Sequence, residues 1–121
     1  MANVLIAEDE AELAGPLADV MRREGHNVRT APGGGSALLL LRNFEPDLLI
    51  SDWALATPPD GLELVELMRA ERPKLLVILM TGYPSLRLRT WAESDARAGL
   101  LEKPFSLAEF RALVAHLLEL K

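Results

Sequence analysis

Apolar positions along this chain follow two rhythms that take turns. Short unbroken runs, such as NVLIA (3–7) and LLVILM (75–80), have the length and composition of strands buried on both faces. Between the runs, apolar residues recur every three or four positions, the period of a helix with one face turned inward. The first run is followed by a helical stretch with Leu13, Leu17, Val20 and Met21 on one side and Gly25 as its stop. Pro16 interrupts that stretch, so the helix is either kinked there or begins late.

NVRTA (27–31) predicts a second strand and Pro32 to Gly35 a loop, after which Ser36 caps a helix carrying Leu38 to Leu41. Glu45-Pro46 breaks that helix ahead of a third strand at 48–51. Asp60 is placed to cap a helix carrying Leu62, Leu64, Val65, Leu67 and Met68. A fourth strand at 75–80 leads into a polar, arginine-bearing helical stretch from Pro84 to Arg97, and then into a fifth strand at 99–102. Ser106 caps the last helix, whose apolar face is Leu107, Phe110, Leu113, Val114, Leu117 and Leu118. Strands alternating with helices in this way predict an α/β fold, a single doubly wound five-stranded parallel sheet with helices on both faces. No repeat or linker divides the chain, and 1–121 is expected to be one domain.

Composition narrows the function classes. Half the residues are hydrophobic, which suits a packed core, and the net charge of −5 argues against a broad nucleic-acid surface. Without cysteine there is neither a disulfide nor a thiolate zinc site. The first residues lack the pattern of a signal peptide and no apolar stretch is long enough for a membrane span, so a soluble cytoplasmic domain is expected.

In an open parallel sheet the ligand site lies beyond the carboxyl ends of the strands. The residues just past those ends are Glu8 and Asp9, then Asp52, then Thr81-Gly82, then Lys103-Pro104. Parallel strands bring all of them to one edge. Three carboxylates so close repel one another unless a cation sits among them, and a hard ion such as Mg²⁺ takes oxygen ligands of this kind. A metal, a carboxylate nucleophile, a hydroxyl and a lysine are the equipment of phosphoryl transfer.

The motifs AED (7–9), DLLISDW (47–53), MTG (80–82) and EKPF (102–105) together resemble the receiver domain of two-component response regulators, over essentially the whole chain. The resemblance implies a flavodoxin-like fold in which Asp52 accepts a phosphoryl group from a histidine kinase or a histidine phosphotransfer protein. It implies a Mg²⁺ ion bound by Asp9, by Asp52, by the Ala54 carbonyl and, through water, by Glu8. Thr81 and Lys103 would contact the phosphoryl oxygens, and the Lys103-Pro104 bond would be cis. Such a domain is a switch that assists its own phosphorylation rather than an enzyme. It passes its state to a downstream protein, as a monomer or a phosphorylation-dependent dimer, without binding nucleic acid or membrane itself. The sequence leaves open whether it stands alone or is cut from a longer regulator or kinase.

The chain departs from the family pattern in three places. Ala56 stands where a proline is common, the loop from Asp52 to Asp60-Gly61 is one residue longer than usual, and Leu100 occupies the position of the usual switch aromatic. Two other functions compete. A docking-only pseudo-receiver would not need the full set of Glu8, Asp9, Asp52, Thr81 and Lys103. A haloacid-dehalogenase-type phosphatase would need an acid two positions after Asp52, where Ala54 stands.

Plainer roles compete for individual residues. Asp52 is also placed to cap a turn, Glu8 and Asp9 to favour a helix start, and Thr81-Gly82 to form a turn. His26 and His116 lie away from the strand ends, and Gly33-Gly34-Gly35 lacks the Lys-Ser/Thr of a phosphate loop and is expected to be a flexible connection. Arg87, Arg89 and Arg97 are expected to form a solvated basic patch on the fourth helix, and Trp53 and Trp91 to be partly exposed.

Overall fold

The structure, a computed structural model, describes residues 1–120. Its elements are β1 (Asn3–Ala7), α1 (Ala11–Arg23), β2 (Asn27–Ala31), α2 (Gly34–Leu40), β3 (Leu48–Asp52), α3 (Gly61–Glu71), β4 (Leu76–Thr81), α4 (Leu86–Glu93), β5 (Ala98–Glu102) and α5 (Leu107–Leu118). All strand pairs are parallel and the sheet order is β2-β1-β3-β4-β5. The order reverses between β1 and β3, and that switch point opens a crevice at the carboxyl edge of the sheet.

Strand residues of alternating parity build a core on each face of the sheet. Val4, Ile6, Leu48, Ile50, Ile78 and Met80 pack with Leu17 and Met21 of α1 and Phe110, Val114 and Leu117 of α5. Leu5, Leu49, Val77 and Leu79 pack instead with Ala37 of α2, Leu64, Val65 and Met68 of α3 and Leu88 of α4. Each fully buried large side chain contributes about 1.5–3 kcal/mol, so these two layers outweigh any local signal. Capping sets where the helices begin. The side chains of Asp60, Ser85 and Ser106 accept hydrogen bonds from the backbone N–H groups of Glu63, Leu88 and Glu109, worth about 1 kcal/mol each.

Several local expectations change. Ser36 does not cap α2 but stands inside it: the helix starts three residues earlier, Gly33 is the N-cap, and the Ser36 hydroxyl accepts from the Gly33 N–H at 3.2 Å. The glycine run is therefore partly helical rather than a loose connection. Pro16 lies within α1, which begins at Ala11, so the late start is not what forms. Pro16 and Glu12 are both exposed, so the hydrogen bond that the proline nitrogen cannot make is missing on the solvent side of the helix. Leu107 is 49% exposed and leaves the apolar face of α5 to the other five residues. Arg97 lies beyond the end of α4, and Arg89 pairs with Glu102 at 3.2 Å, so the three arginines form no patch on that helix. Among the described residues, no helix is long and apolar enough to cross a membrane.

Candidate functional site

Hydrogen bonding continues past the last strand residues and places the groups that follow. The Glu8 N–H donates to the Ala31 carbonyl at 3.0 Å, the Trp53 N–H to the Met80 carbonyl at 2.8 Å, and the Lys103 N–H to the Thr81 carbonyl at 2.7 Å. Glu8, Asp52, Thr81 and Lys103 are thus pinned to one edge by the ladder itself. The Lys103-Pro104 bond is cis, as the resemblance implies.

At the centre of the edge, Lys103 Nζ donates to Glu8 Oε1 and to Asp52 Oδ2, both at 3.0 Å. The two carboxylate side chains are buried, while the Lys103 side chain is 22% exposed. The second oxygens are also engaged: Asp52 Oδ1 accepts from the Ala54 N–H at 3.2 Å, and Glu8 Oε2 from the Glu10 N–H at 3.2 Å. Thr81 is buried, and its hydroxyl oxygen accepts from the Tyr83 N–H at 3.0 Å.

Charge and burial pull against each other here. Burial pushes the Glu8 carboxyl up to about 7; Lys103 opposes the shift, while Asp9 and the charge on Asp52 add to it. For Lys103 burial works against the charge, yet the bonds from Asp52 and Glu8 outweigh it and hold the ammonium above its usual range. An ion pair of this kind fixes geometry more than it stabilises the fold, because desolvation offsets much of the attraction.

Glu8, Asp9 and Glu10 each offer a carboxylate oxygen, and these oxygens lie within 4.8 Å of one another. The donor set is all oxygen, Asp9 and Glu10 are exposed, and Glu8 is buried behind them. Such a set suits a hard divalent cation that keeps part of its water shell. Glu10 is the addition here; three consecutive acids at a strand end were its signal, masked by its position as N-cap of α1, where it makes no side-chain cap. Asp52 stands outside that trio and reaches Glu8 through the shared lysine. Ala54 is tied to Asp52 through its N–H. His26 instead accepts from the Ala2 N–H through Nδ1 at 3.0 Å, far from the site in role and element.

The sequence model of the response regulator receiver domain matches residues 4–115. The nitrogen assimilation regulatory protein NtrX of Azorhizobium caulinodans is 28% identical over 97% of this chain and 26% of its own length. The sensor kinase CckA of Brucella abortus is 30% identical over 98% of this chain and 13% of its own length. This chain thus spans about a quarter or less of these two relatives. Among solved structures, a CheY-like response regulator receiver domain protein from Methanospirillum hungatei matches with a TM-score of 0.86 and 25% identity, over 98% of this chain and 94% of that one.

Proposed function

Because this chain belongs to the response regulator receiver domain family of two-component signal transduction, we propose that Asp52 is its phosphoacceptor and Lys103 the counter-charge that follows the phosphoryl group. The observation that carries this reading is the single ammonium held 3.0 Å from both Asp52 and the buried Glu8 at the carboxyl edge of the sheet. An Asp52 oxygen attacks the phosphorus of a phosphohistidine. The P–N bond breaks as the P–O bond forms, and the histidine nitrogen leaves with the electron pair. Lys103, already hydrogen-bonded to Asp52 Oδ2, is placed to meet a phosphoryl oxygen, and the Thr81 hydroxyl is placed to turn from the Tyr83 N–H to another.

Glu8, Asp9, Asp52 and the Ala54 carbonyl would hold a Mg²⁺ ion, with Glu8 acting through water; Glu10 joins the first two by position. Bound there, the ion supplies positive charge for the phosphoryl oxygens. Without phosphate, Lys103 offsets the repulsion between the Glu8 and Asp52 carboxylates by donating to both.

The donor is a histidine kinase or a histidine phosphotransfer protein, a reading supported by relatives named as a sensor kinase and as regulators. Residues 1–121 act as one cytoplasmic phosphoacceptor unit that signals to a downstream protein partner, as a monomer or as a dimer formed on phosphorylation, with no nucleic acid of its own. It is a switch rather than an enzyme. Incubation with a small phosphodonor and Mg²⁺ should add one phosphoryl mass, labile as an acyl phosphate. Asp52→Asn should take up none; full labelling of that variant would overturn the assignment.

A further inference from the structure

We propose that Gly34, in the first turn of α2, is a positioning residue for the phosphoacceptor site, because the side chain it lacks leaves the space in which the loop after Asp52 rests. The inference rests on the phosphoacceptor reading of Asp52. That loop begins at Trp53 and ends at Asp60, and near its start Ala54 donates its N–H to Asp52 Oδ1 at 3.2 Å. Its two ends are tied: the Trp53 carbonyl accepts from the Gly61 N–H at 3.0 Å, and Asp60 caps α3. Between Leu55 and Pro59 no hydrogen bond forms among the described residues, so packing alone sets the path there.

Two contacts supply that packing. Leu55 lies half-buried on the core beneath α2, α3 and α4, and Pro59 lies against Gly34. A Cβ on Gly34 would overlap the Pro59 carbonyl oxygen and stand 2.7 Å from its nitrogen and 2.8 Å from its Cδ. These are backbone and ring atoms and cannot swing aside.

The neighbouring glycines differ. A Cβ on Gly35 would make only an ordinary contact, 3.7 Å from the Pro58 carbonyl oxygen. A Cβ on Gly33 would meet the hydroxyl of Thr57, an exposed side chain free to rotate. Of the three, only Gly34 is required by a backbone that has no other place to go. A methyl group there displaces Pro59, and through the short loop it displaces Ala54 and the Asp52 carboxylate it orients. Misplacement of a reacting group by about 1 Å is enough to cost tenfold or more in rate.

The test compares Gly34→Ala with Gly35→Ala in the full chain. Three measurements are made: the Mg²⁺ midpoint from tryptophan fluorescence, the rate of phosphoryl uptake by mass, and the backbone amide signals of Trp53 and Ala54. Val114→Ala, on the far face of the sheet, serves as a purely destabilising control. Gly34→Ala is expected to raise the Mg²⁺ midpoint and slow uptake by about tenfold each, and to shift both amide signals. Gly35→Ala should leave all three unchanged, and Val114→Ala should lower only the thermal midpoint. Should Gly34→Ala not fold, Pro59→Gly removes the ring from the same contact without adding an atom, and the same raised midpoint is expected with cooperative unfolding kept. Wild-type values in a folded Gly34→Ala or in Pro59→Gly, or equal damage from Gly35→Ala, would overturn the proposal. If the wild-type chain takes up no phosphoryl group, the functional reading fails, and the amide signals alone decide the positioning role: unchanged signals in Gly34→Ala refute it.

Discussion

Asp52 Oδ2 accepts a hydrogen bond from Lys103 Nζ at 3.0 Å, across 51 positions of sequence. The same nitrogen serves Glu8, so any change of charge at Asp52 is felt by Lys103, just past β5, and by Glu8, just past β1. On the proposed reading, this shared lysine is the point at which phosphorylation becomes a change of state.

Lys103→Met should leave Asp52 able to accept a phosphoryl group while removing the contact that reports it. Amide signals in the free and phosphorylated states are expected to differ in the native chain and to differ far less in the variant. An undiminished difference would count against Lys103 as the reporter.

The buried Glu8 carboxyl, with a folded-state pKa of about 7 against an ordinary 4.5, makes stability and metal binding respond oppositely to pH. A carboxyl raised in this way is stabilising while protonated, and that contribution is lost as pH rises through about 7. In metal-free buffer, Glu8→Gln should therefore stabilise the protein at pH 8, by up to about 3 kcal/mol, and the gain should vanish near pH 4.5. Chemical denaturation at several pH values measures it.

Mg²⁺ affinity should rise between pH 6 and 8, because a proton on Glu8 competes with the cation until the pH passes about 7. Asp9→Ala should weaken binding by about tenfold or more at every pH while keeping that slope. A flat profile in the native chain would mean that Glu8 takes no part.

With Leu100 half-buried against the same core as Leu88 and Trp91, no aromatic ring is present there to swing when the site is phosphorylated. Phosphorylation or a beryllofluoride mimic should instead move the backbone from Thr81 to Leu86 most, as the Thr81 hydroxyl leaves the Tyr83 N–H. Thr81→Ala should shrink those amide shifts. Leu100→Ala should cost about 1–3 kcal/mol of stability and leave them in place. The reverse pattern would sink this account.

Phe110 is fully buried where α5 meets the sheet and stacks on Phe105, ring centres 6.2 Å apart. Phe110→Ala should cost about 3–5 kcal/mol in equilibrium unfolding. Phe105 follows Lys103-Pro104 closely, so the Mg²⁺ midpoint is the control that separates loss of packing from loss of the site.

Much of this protein was legible in its sequence because the informative signals are local. Alternation of apolar runs with a three-to-four period needs only neighbouring residues, and it located all ten elements to within a residue or two at most strand ends. Once the strands are parallel, their last residues must share an edge, so Glu8, Asp52, Thr81 and Lys103 could be gathered without coordinates. Caps at Asp60 and Ser106 were visible for the same reason, a side chain and an N–H three residues apart. What tertiary structure alone decided depends on neighbours distant in sequence. Lys103 bridges two carboxylates, and the depth of Glu8 sets its proton affinity. Ser36 yielded the cap of α2 to Gly33 as the helix began three residues early beside the loop from β3, a contact no local pattern encodes. Periodicity assigns a residue to an element and a face; only the packing of one element on another fixes its burial, its partners and hence its charge.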